Sequence, residues 1–279
     1  MQNKPLISIL IVAYNPWAYL RKTLESCLAQ TYENTEILIL DNNSSEDISQ
    51  YIPKSEKIKL IKSDINLGPY GWLNLLLEKA KWEYIAIQDH DDIWHPEKLA
   101  KQMEFLESHP EYIGCGTNTI MYYEADQKYF EYFLDAENYY TIHPSLLFRY
   151  DGVFRYDTSE IEYMCDAYSL KYNLCHGEKK IANLAEPLTL HLIKKTSGNY
   201  SYRWHQLNMA NIRRAYILHP PLYATLTLLW EIKRKVCYPI LNTLWLGDWI
   251  NPIERLPFRL MGKKIQKMKG DEWWEEYIN

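Results

Sequence analysis

Residues 83–94 read EYIAIQDHDDIW, and this stretch decides the fold class of the chain. Glu83–Gln88 is a short apolar run, typical of a strand buried on both faces of a parallel sheet. The run leads directly into three carboxylates, Asp89, Asp91 and Asp92. In sheets of this kind ligands bind at the carboxyl ends of the strands. The stretch therefore predicts a strand and a binding site at its end.

Strand and helix patterns alternate on both sides of this stretch. The other predicted strands are Leu6–Ala13, Glu36–Leu40 and Lys57–Ile61. Apolar residues at helical spacing mark the predicted helices: Leu20, Leu24, Cys27 and Leu28; Leu73, Leu76, Leu77 and Ala80; and, beyond Pro96, Leu99, Met103 and Leu106. Such alternation over about 110 residues predicts an α/β fold, built on a mainly parallel sheet flanked by helices.

The pattern is less regular beyond residue 112. Short strands are predicted at Tyr112–Cys115, Thr119–Tyr123, Tyr129–Phe133 and Leu188–Ile193, and a helix at Glu160–Leu174. Beyond residue 199 the chain has a helical pattern interrupted by prolines. We therefore predict a catalytic or binding body over residues 1–197 and a helical C-terminal appendage over residues 198–279.

Composition and charge restrict the class of partner. Of 279 residues, 47% are hydrophobic and 24% charged, which excludes a disordered chain. The net charge of −5 argues against a nucleic-acid partner. Residues 201–270, however, carry 12 Lys and Arg against 3 Asp and Glu. This basic region predicts peripheral contact with an anionic membrane surface, but a helical cap on the body or a homodimer contact would also explain it.

Cysteine usage and apolar stretches indicate the compartment. The five cysteines are odd in number and form no CxxC pair, so neither a disulfide framework nor a zinc ribbon is predicted. Met1–Pro5 lacks the pattern of a signal peptide. The longest apolar stretches, Ile7–Tyr14 and Pro220–Trp230, are shorter than the ~18 residues of a membrane span. We expect a cytoplasmic protein, peripheral at the inner face of the cell membrane.

The acidic residues that follow two strands have both chemical and structural interpretations. The carboxylates at Asp89, Asp91 and Asp92 repel one another unless a cation compensates, and Mg²⁺ takes one or two carboxylates together with substrate phosphates. A solvated turn before a helix is the alternative. Asp41, at the end of the second strand, could accept a hydrogen bond from a ribose or a base, or it could form an Asx-turn. The residues alone leave these alternatives open.

Five motifs, taken in order, resemble the bacterial glycosyltransferase family 2 enzymes, which have a Rossmann-like GT-A fold. These motifs are Tyr14-Asn15, Ser26–Tyr32 (SCLAQTY), Glu36–Asp41 (EILILD), Asn66-Leu67-Gly68 and Asp89–Trp94 (DHDDIW). Each motif is weak by itself, but the ordered set is specific. The resemblance covers about residues 5–110.

The resemblance implies a reaction and a cofactor. The expected reaction moves a sugar from a UDP- or dTDP-sugar, with inversion at the anomeric carbon, to a hydroxyl of a glycan or lipid-linked acceptor in surface polysaccharide biosynthesis. Mg²⁺ or Mn²⁺, held by Asp91 and Asp89, would neutralise the charge on the leaving diphosphate. The residues implied for nucleotide-sugar binding are Ala13, Tyr14, Asn15, Asp41, Asn66, Gly68, Asn74, Asp89, His90 and Trp94.

The resemblance is looser in the second half of the chain. The family's general base corresponds to Asp166, with Glu160 and Glu162 as alternatives. A basic contact to phosphate that the family often carries as Tyr-Arg is absent here. His191, Lys194 or Lys195 could replace it. Trp94 or His95 could line the sugar pocket.

Other functional classes fit less well. A sugar nucleotidyltransferase or an NAD-dependent dehydrogenase would have a glycine-rich loop after the first strand, where this chain has Tyr14-Asn15-Pro16-Trp17. A receiver domain would be shorter and would carry its acids on other strands. A non-catalytic nucleotide-sugar-binding module of the same fold remains the alternative.

Overall fold

The computed structural model describes residues 4–66, 68–81, 83–124, 127–158, 165–194, 266–267 and 272–278. The strands within these residues are β1 (Ile7–Ala13), β2 (Thr35–Asn42), β3 (Ile58–Ser63), β4 (Tyr84–Asp89), β5 (Ile93–Trp94), β6 (Gly114–Tyr123), β7 (Lys128–Tyr132), β8 (Glu137–Asn138), β9 (Leu147–Arg149), β10 (Ile181–Ile193) and β11 (Gln266–Lys267). The helices are α1 (Tyr19–Leu28), α2 (Gly68–Lys79), α3 (Lys98–Ser108), α4 (Cys165–Ser169) and α5 (Glu275–Ile278).

All of these strands belong to one mixed sheet, whose main path runs β11-β7-β6-β9-β4-β1-β2-β3. Strands β4, β1, β2 and β3 are parallel, whereas β9 pairs antiparallel with both β4 and β6. β10 runs parallel to β6 along its whole length. The predicted α/β class is therefore confirmed, with the parallel part in the first half of the chain.

The side chains of β1 show why helices cover both faces of the sheet. Ile7, Ile9 and Ile11 belong to a buried cluster with apolar residues of α1 and α3. Leu10 belongs to a second cluster, with residues of α2. Because successive strand residues point to opposite faces, an uninterrupted apolar strand requires a helix layer on each side.

The register of the parallel strands positions the predicted acids. Val12 lies beside Asp89 of β4, and Ala13 lies beside Asp41 of β2. The two acids therefore flank the carboxyl end of β1, as ligand-binding residues of this fold class do.

The second half of the sheet differs from the prediction. The two strands predicted at Tyr112–Cys115 and Thr119–Tyr123 are one strand, β6. Gly116 interrupts the β-branched pattern there, but the position admits only glycine, since a Cβ atom would meet Thr141 Oγ1 at 1.9 Å. β10 begins at Ile181 and continues through Pro187, where irregular register with β6 accommodates the proline.

The described C-terminal residues return to the body. β11 pairs antiparallel with β7, so the region for which helices were predicted also contains a short strand. Trp274 is fully buried against Tyr122 and Tyr129, with ring centroids 5.7 and 4.8 Å away. The predicted domain boundary at residues 197/198 lies outside the described residues. No helix within the described ranges is long and apolar enough to cross a membrane.

Candidate functional site

The loops after β1 and β2 are tied together by side-chain hydrogen bonds. The backbone N–H of Asn15 donates to Ser44 Oγ at 3.0 Å, and Asn15 Oδ1 accepts from the Ser45 N–H at 2.8 Å. The Ser44 N–H in turn donates to Asp41 Oδ1 at 3.0 Å. Asp41 thus fixes the start of its loop by a bond to the residue three positions on, whereas the sequence allowed an Asx-turn, which bonds two positions on, or a helix N-cap for the segment from Ser44. Its Oδ2 atom makes no hydrogen bond to any other described residue and remains available to a ligand.

The loop after β3 closes the same side of the crevice. Asn66 Oδ1 accepts hydrogen bonds from Asn42 Nδ2 at 3.0 Å and from the Gly68 N–H at 2.9 Å. Gly68 has φ +75°, a conformation that favours glycine. The Oδ1 atom of the buried Asn42 has no hydrogen-bond partner among the described residues. Three strand ends therefore converge here, with polar side chains between them.

The end of β1 supplies backbone and aromatic surface. Ala13 is fully buried, whereas Tyr14 is 38% exposed. His90 lies over this strand end, with Nδ1 at 3.3 Å from the Val12 carbonyl oxygen. Tyr14 and His90 can therefore contact a ligand at the crevice with their side chains, and Ala13 can do so only through its backbone.

Asp92 anchors the acidic loop to the sheet. It is fully buried, and its Oδ1 accepts a hydrogen bond from the Leu192 N–H at 2.8 Å. Its Oδ2 lies 2.7 Å from His191 Nδ1. Burial alone would lower the pKa of His191, but the charge and hydrogen bond of Asp92 outweigh burial and raise it to about 9. A protonated His191 therefore compensates Asp92 at neutral pH.

Asp91 is paired with a second cation from the same end of β10. Lys194 Nζ lies 2.7 Å from Asp91 Oδ2, and both side chains are largely buried. Burial would raise the pKa of Asp91, but His90 and Lys194 together hold it below its ordinary value. This carboxyl group is therefore ionised.

Asp89 differs from its two acidic neighbours, because its carboxylate makes no hydrogen bond or ion pair within the described residues. Burial, with the nearby charges of Asp92 and Asp91, raises the pKa of Asp89 to about 8. Three carboxylates thus face two basic side chains. Without a cation Asp89 therefore holds a proton at neutral pH, and a divalent cation would replace that proton, since carboxylate oxygens are the ligands that Mg²⁺ and Mn²⁺ prefer.

The ligand geometry allows a metal at Asp89. Ligand atoms of Asp89, Asp92 and His191 lie within 4.8 Å of one another. Asp92 and His191 already bond to each other, so Asp89 offers the oxygens that are not engaged. Asp91 is the second carboxylate of the predicted pair, and its use requires a rearrangement of Lys194. The residues therefore fit a hard divalent cation.

Asp166 stands near this cluster at the start of α4. Its charge contributes to the raised pKa of Asp89. Burial lowers the pKa of His143, and the negative charge of Asp166 acts in the opposite direction. Asp166 therefore lies close enough to Asp89 and His143 for its charge to act on both, and its role as general base stays a prediction. Glu160 and Glu162, the alternative bases, lie outside the described residues.

His143 is a candidate site residue that the sequence analysis missed. Its Nε2 lies 2.8 Å from the Tyr156 hydroxyl oxygen, and its ring meets Tyr70 edge-on at 6.1 Å. The short 3-10 turn His143–Ser145 presents it. A single histidine in an irregular segment carries no spacing signal, so only the folded chain shows that it lies near Asp166.

Trp94 and Asn74, both predicted to bind the nucleotide sugar, make contacts within the protein. Trp94 is fully buried, and its Nε1 donates to the Pro144 carbonyl oxygen at 2.8 Å. The Asn74 side chain exchanges two hydrogen bonds, of 2.9 and 2.8 Å, with the backbone of Tyr156. Trp94 has no exposed surface that could line a pocket. Both residues instead hold segments that flank His143.

The predicted replacements for the basic phosphate contact have separate positions. His191 and Lys194 both lie against the acidic loop. Lys195 lies outside the described residues. His95, predicted as a sugar-pocket residue, packs edge-on against Trp273, with ring centroids 5.1 Å apart. The two described basic residues therefore serve as counter-ions of Asp92 and Asp91 in this structure.

Comparison with known proteins agrees with this arrangement. An "Uncharacterized glycosyltransferase" of Haemophilus influenzae is 40% identical over 108 residues, which are 37% of this chain and 43% of that protein. The Escherichia coli enzyme WfaP, a "UDP-Glc:alpha-D-GlcNAc-diphosphoundecaprenol beta-1,3-glucosyltransferase", is 41% identical over 105 residues, 37% of this chain and 42% of that protein. The matched region thus spans less than half the length of these relatives.

Solved structures share the fold. S. aureus TarS (residues 1–349) in complex with UDP-GlcNAc superposes with a TM-score of 0.60 and 15% identity, covering 76% of this chain and 65% of TarS. The mannosyltransferase PcManGT from Pyrobaculum calidifontis, in complex with GDP-Man and Mn²⁺, gives a TM-score of 0.53 and 14% identity, covering 82% of this chain and 65% of PcManGT. At these identities the likeness shows the GT-A fold alone.

The family model described as "Glycosyl transferase family 2" matches residues 8–164, which is more than half of the chain. The match includes β1, β2 and the acidic loop, whose side chains form the crevice described above. It also agrees with the order of motifs along the sequence. The chain therefore belongs to glycosyl transferase family 2.

Proposed function

We propose that this chain is an inverting, metal-dependent glycosyltransferase that moves a sugar from a nucleoside-diphosphate sugar to an acceptor hydroxyl. One observation carries the proposal: the only carboxylate of the acidic loop without a described partner, Asp89, lies at the end of β4 beside the end of β1. Asp41 lies on the other side of β1, with one oxygen available. A nucleotide can span these two positions.

The donor's base and ribose belong on the Asp41 side of the crevice. Asp41 Oδ2 can accept a hydrogen bond from a base N–H or a ribose hydroxyl, and Tyr14 can pack against the base. Asn15, Asn66 and Gly68 fix the loops that surround this position. We propose a UDP- or dTDP-sugar as donor. The donor in the name of WfaP and the ligand of TarS, both uridine diphosphate sugars, support this choice.

The diphosphate belongs on the acidic side. Asp89 and Asp91 would hold Mg²⁺ or Mn²⁺, which would neutralise charge on the leaving diphosphate. The Mn²⁺ named with GDP-Man in the structure of PcManGT supports a divalent ion as cofactor. Asp92 and His191 stabilise the loop that carries both ligands.

Asp166 is the proposed general base. The acceptor oxygen bonds to the anomeric carbon while the bond from that carbon to the diphosphate oxygen breaks. The hydroxyl proton passes to the Asp166 carboxylate. Attack from the face opposite the leaving group inverts the anomeric configuration. A base in this position contributes roughly 10²–10⁴-fold to the rate.

The acceptor is proposed to be a glycan or a lipid-linked saccharide of a surface polysaccharide. The lipid-linked acceptor in the name of WfaP supports this, as does "Putative teichuronic acid biosynthesis glycosyltransferase TuaG" of Bacillus subtilis, 35% identical over 107 residues. Such an acceptor would be met at the inner face of the cell membrane. The basic residues within 201–270 suit peripheral contact with that surface, or with a second copy of the chain.

Calorimetric titration with UDP, dTDP and GDP tests the proposal. Each nucleotide is titrated with Mn²⁺ and with EDTA into the wild type, Asp89→Asn and the control Glu104→Gln, which changes an exposed carboxylate on α3. We expect Mn²⁺ to strengthen binding of one pyrimidine nucleotide to the wild type and the control but not to Asp89→Asn. Absence of nucleotide binding to the wild type would refute the proposal.

The alternative, a non-catalytic nucleotide-sugar-binding module, requires a second measurement. Slow hydrolysis of donor sugars can be followed by release of the nucleoside diphosphate without knowledge of the acceptor. We expect release from the donor whose nucleotide binds most tightly. Tight binding without release from any donor, even with membrane extracts as a source of acceptor, would favour the module.

A further inference from the structure

We propose that Lys194 is a built-in counter-ion that competes with a divalent cation for Asp91. The inference rests on the proposed metal-binding role of Asp91. It adds that the cation binds weakly until Lys194 leaves the carboxylate. The diphosphate of a bound donor supplies an alternative anion for the lysine.

The ion pair is close and largely shielded from water. Lys194 Nζ lies 2.7 Å from Asp91 Oδ2, with side-chain exposures of 8% and 17%. Exposed ion pairs contribute little because water and salt screen them, whereas a shielded pair keeps most of its Coulomb energy. A metal ion that binds Asp91 through Oδ2 must therefore displace a well-held ammonium group.

Neighbouring side chains hold the lysine in this position. Its Nζ lies 4.2 Å from the centroid of the Tyr19 ring, within the range of a cation–π interaction. The Tyr19 hydroxyl donates a hydrogen bond to Glu124. Burial, this bond and the charges of Glu124 and Asp91 raise the pKa of Tyr19 to about 12, so the phenol stays neutral. The ring thus presents a fixed face to the ammonium group.

The other two acids of the loop, Asp89 and Asp92, explain why the site can still bind a cation. His191 is engaged by Asp92, and Asp89 has no described cationic partner. A divalent ion shared by Asp89 and Asp91 would meet the Lys194 ammonium group at Asp91, which would repel it. Movement of Lys194 to the diphosphate removes this repulsion and frees Asp91. Metal and diphosphate binding are therefore coupled through a single lysine, and each strengthens the other.

Electron paramagnetic resonance of Mn²⁺ tests this coupling without any turnover. Free Mn²⁺ is measured in titrations of the wild type, Lys194→Met and Lys22→Met, each with and without UDP. Lys22 is the matched control: it lines a pocket together with Asp91 and Tyr19, but its Nζ donates to the Tyr277 carbonyl oxygen at 2.7 Å. Both variants remove one positive charge, so a general change of net charge affects them equally.

We expect Lys194→Met to bind Mn²⁺ about tenfold more tightly than the wild type in the absence of UDP, and Lys22→Met to change this affinity less than about threefold. UDP should strengthen Mn²⁺ binding less in Lys194→Met than in the wild type. Lys194→Arg retains the charge and should bind Mn²⁺ as weakly as the wild type. This variant tests whether the site tolerates substitution.

Equal effects of the Lys194→Met and Lys22→Met substitutions would overturn the inference, as would no effect of either or no Mn²⁺ binding to any protein. Binding of UDP, dTDP and GDP in the presence of Mn²⁺ is measured in parallel by calorimetry. Absence of binding of all three to the wild type would contradict the proposed function, whereas the Mn²⁺ titrations without nucleotide decide the role of Lys194.

Discussion

Asp92 Oδ2 lies 2.7 Å from His191 Nδ1, and this bond joins the acidic loop to β10, almost a hundred residues further along the chain. The other Asp92 oxygen accepts the Leu192 N–H. Both oxygens of Asp92 are therefore engaged in holding the loop. The three acids of the motif therefore differ in their contacts: Asp92 anchors the loop to β10, Asp91 pairs with Lys194, and Asp89 remains available to a cation.

Replacement of Asp92 by Asn should destabilise the fold. The amide keeps an acceptor for one bond but removes the charge that compensates the partly exposed His191. We expect the free energy of unfolding in urea to fall by about 1–3 kcal/mol, the usual cost of an unsatisfied buried polar group. The exposed control Asp64→Asn should unfold like the wild type. Identical urea midpoints for Asp92→Asn and wild type would show that the bond does not anchor the loop.

The buried Lys98 should make stability depend on pH. Its Nζ donates to Gln102 Oε1 at 2.9 Å, and it lies 3.9 Å from the centroid of the Trp94 ring. Burial lowers the pKa of Lys98 from 10.5 to about 7. Between about pH 10 and pH 7 the unfolded chain therefore binds a proton that the folded chain lacks, so stability falls as the pH decreases. Below pH 7 Lys98 is protonated in both the folded and the unfolded state, so its contribution to the free energy of unfolding no longer changes with pH.

The variant Lys98→Met lacks this group and isolates its contribution. We expect the variant to gain stability relative to the wild type as the pH falls from 10 to 7, because methionine fills the same space without a charge. Chemical unfolding of both proteins at pH 7, 8, 9 and 10 measures the difference. Parallel profiles for the two proteins would contradict the prediction.

The first half of the fold and part of the site follow from local sequence patterns. The apolar run of β1 and the helical spacing of α1 are visible within about ten residues, as is the acidic loop after β4. Parallel strands place their carboxyl ends at one edge, so the proximity of Asp41 and Asp89 to the end of β1 could be predicted without coordinates.

The counter-ions of the acidic loop could not be assigned in this way. His191 and Lys194 reach Asp92 and Asp91 only through pairing of β10 with β5 and β6, and no local spacing connects residues so distant in sequence. The strand predicted at Leu188–Ile193 contains His191, but Pro187 concealed its beginning at Ile181, since proline usually ends a strand prediction. Long-range pairing, rather than local propensity, determines this half of the site.

Trp274 should be a strong contributor to stability. It is fully buried between Tyr122 and Tyr129, and Trp273 beside it is partly exposed. We expect Trp274→Ala to lower the free energy of unfolding by about 3–5 kcal/mol, and Trp273→Ala by clearly less. Urea unfolding measures both.

A conservative substitution separates packing from hydrogen bonding at this position. Trp274 Nε1 is buried without a hydrogen-bond partner among the described residues. Trp274→Phe removes this unsatisfied group while keeping an aromatic ring, so we expect it to cost much less than Trp274→Ala. Equal losses in the two variants would contradict this expectation, and small losses in both would mean that the described packing of Trp274 does not stabilise the fold.

Asp166→Asn should reduce turnover with little effect on donor binding. The carboxylate is expected to take the acceptor's proton, which an amide cannot do, so the rate should fall by roughly 10²–10⁴-fold. The dissociation constant of the metal-bound nucleoside diphosphate, measured by calorimetry, should stay within about threefold of wild type, because the proposed base acts on the acceptor and not on the donor. Asp151→Asn, a change of an exposed carboxylate, is the control. Full activity of Asp166→Asn, with loss of activity in Glu160→Gln or Glu162→Gln, would assign the base to one of those residues instead.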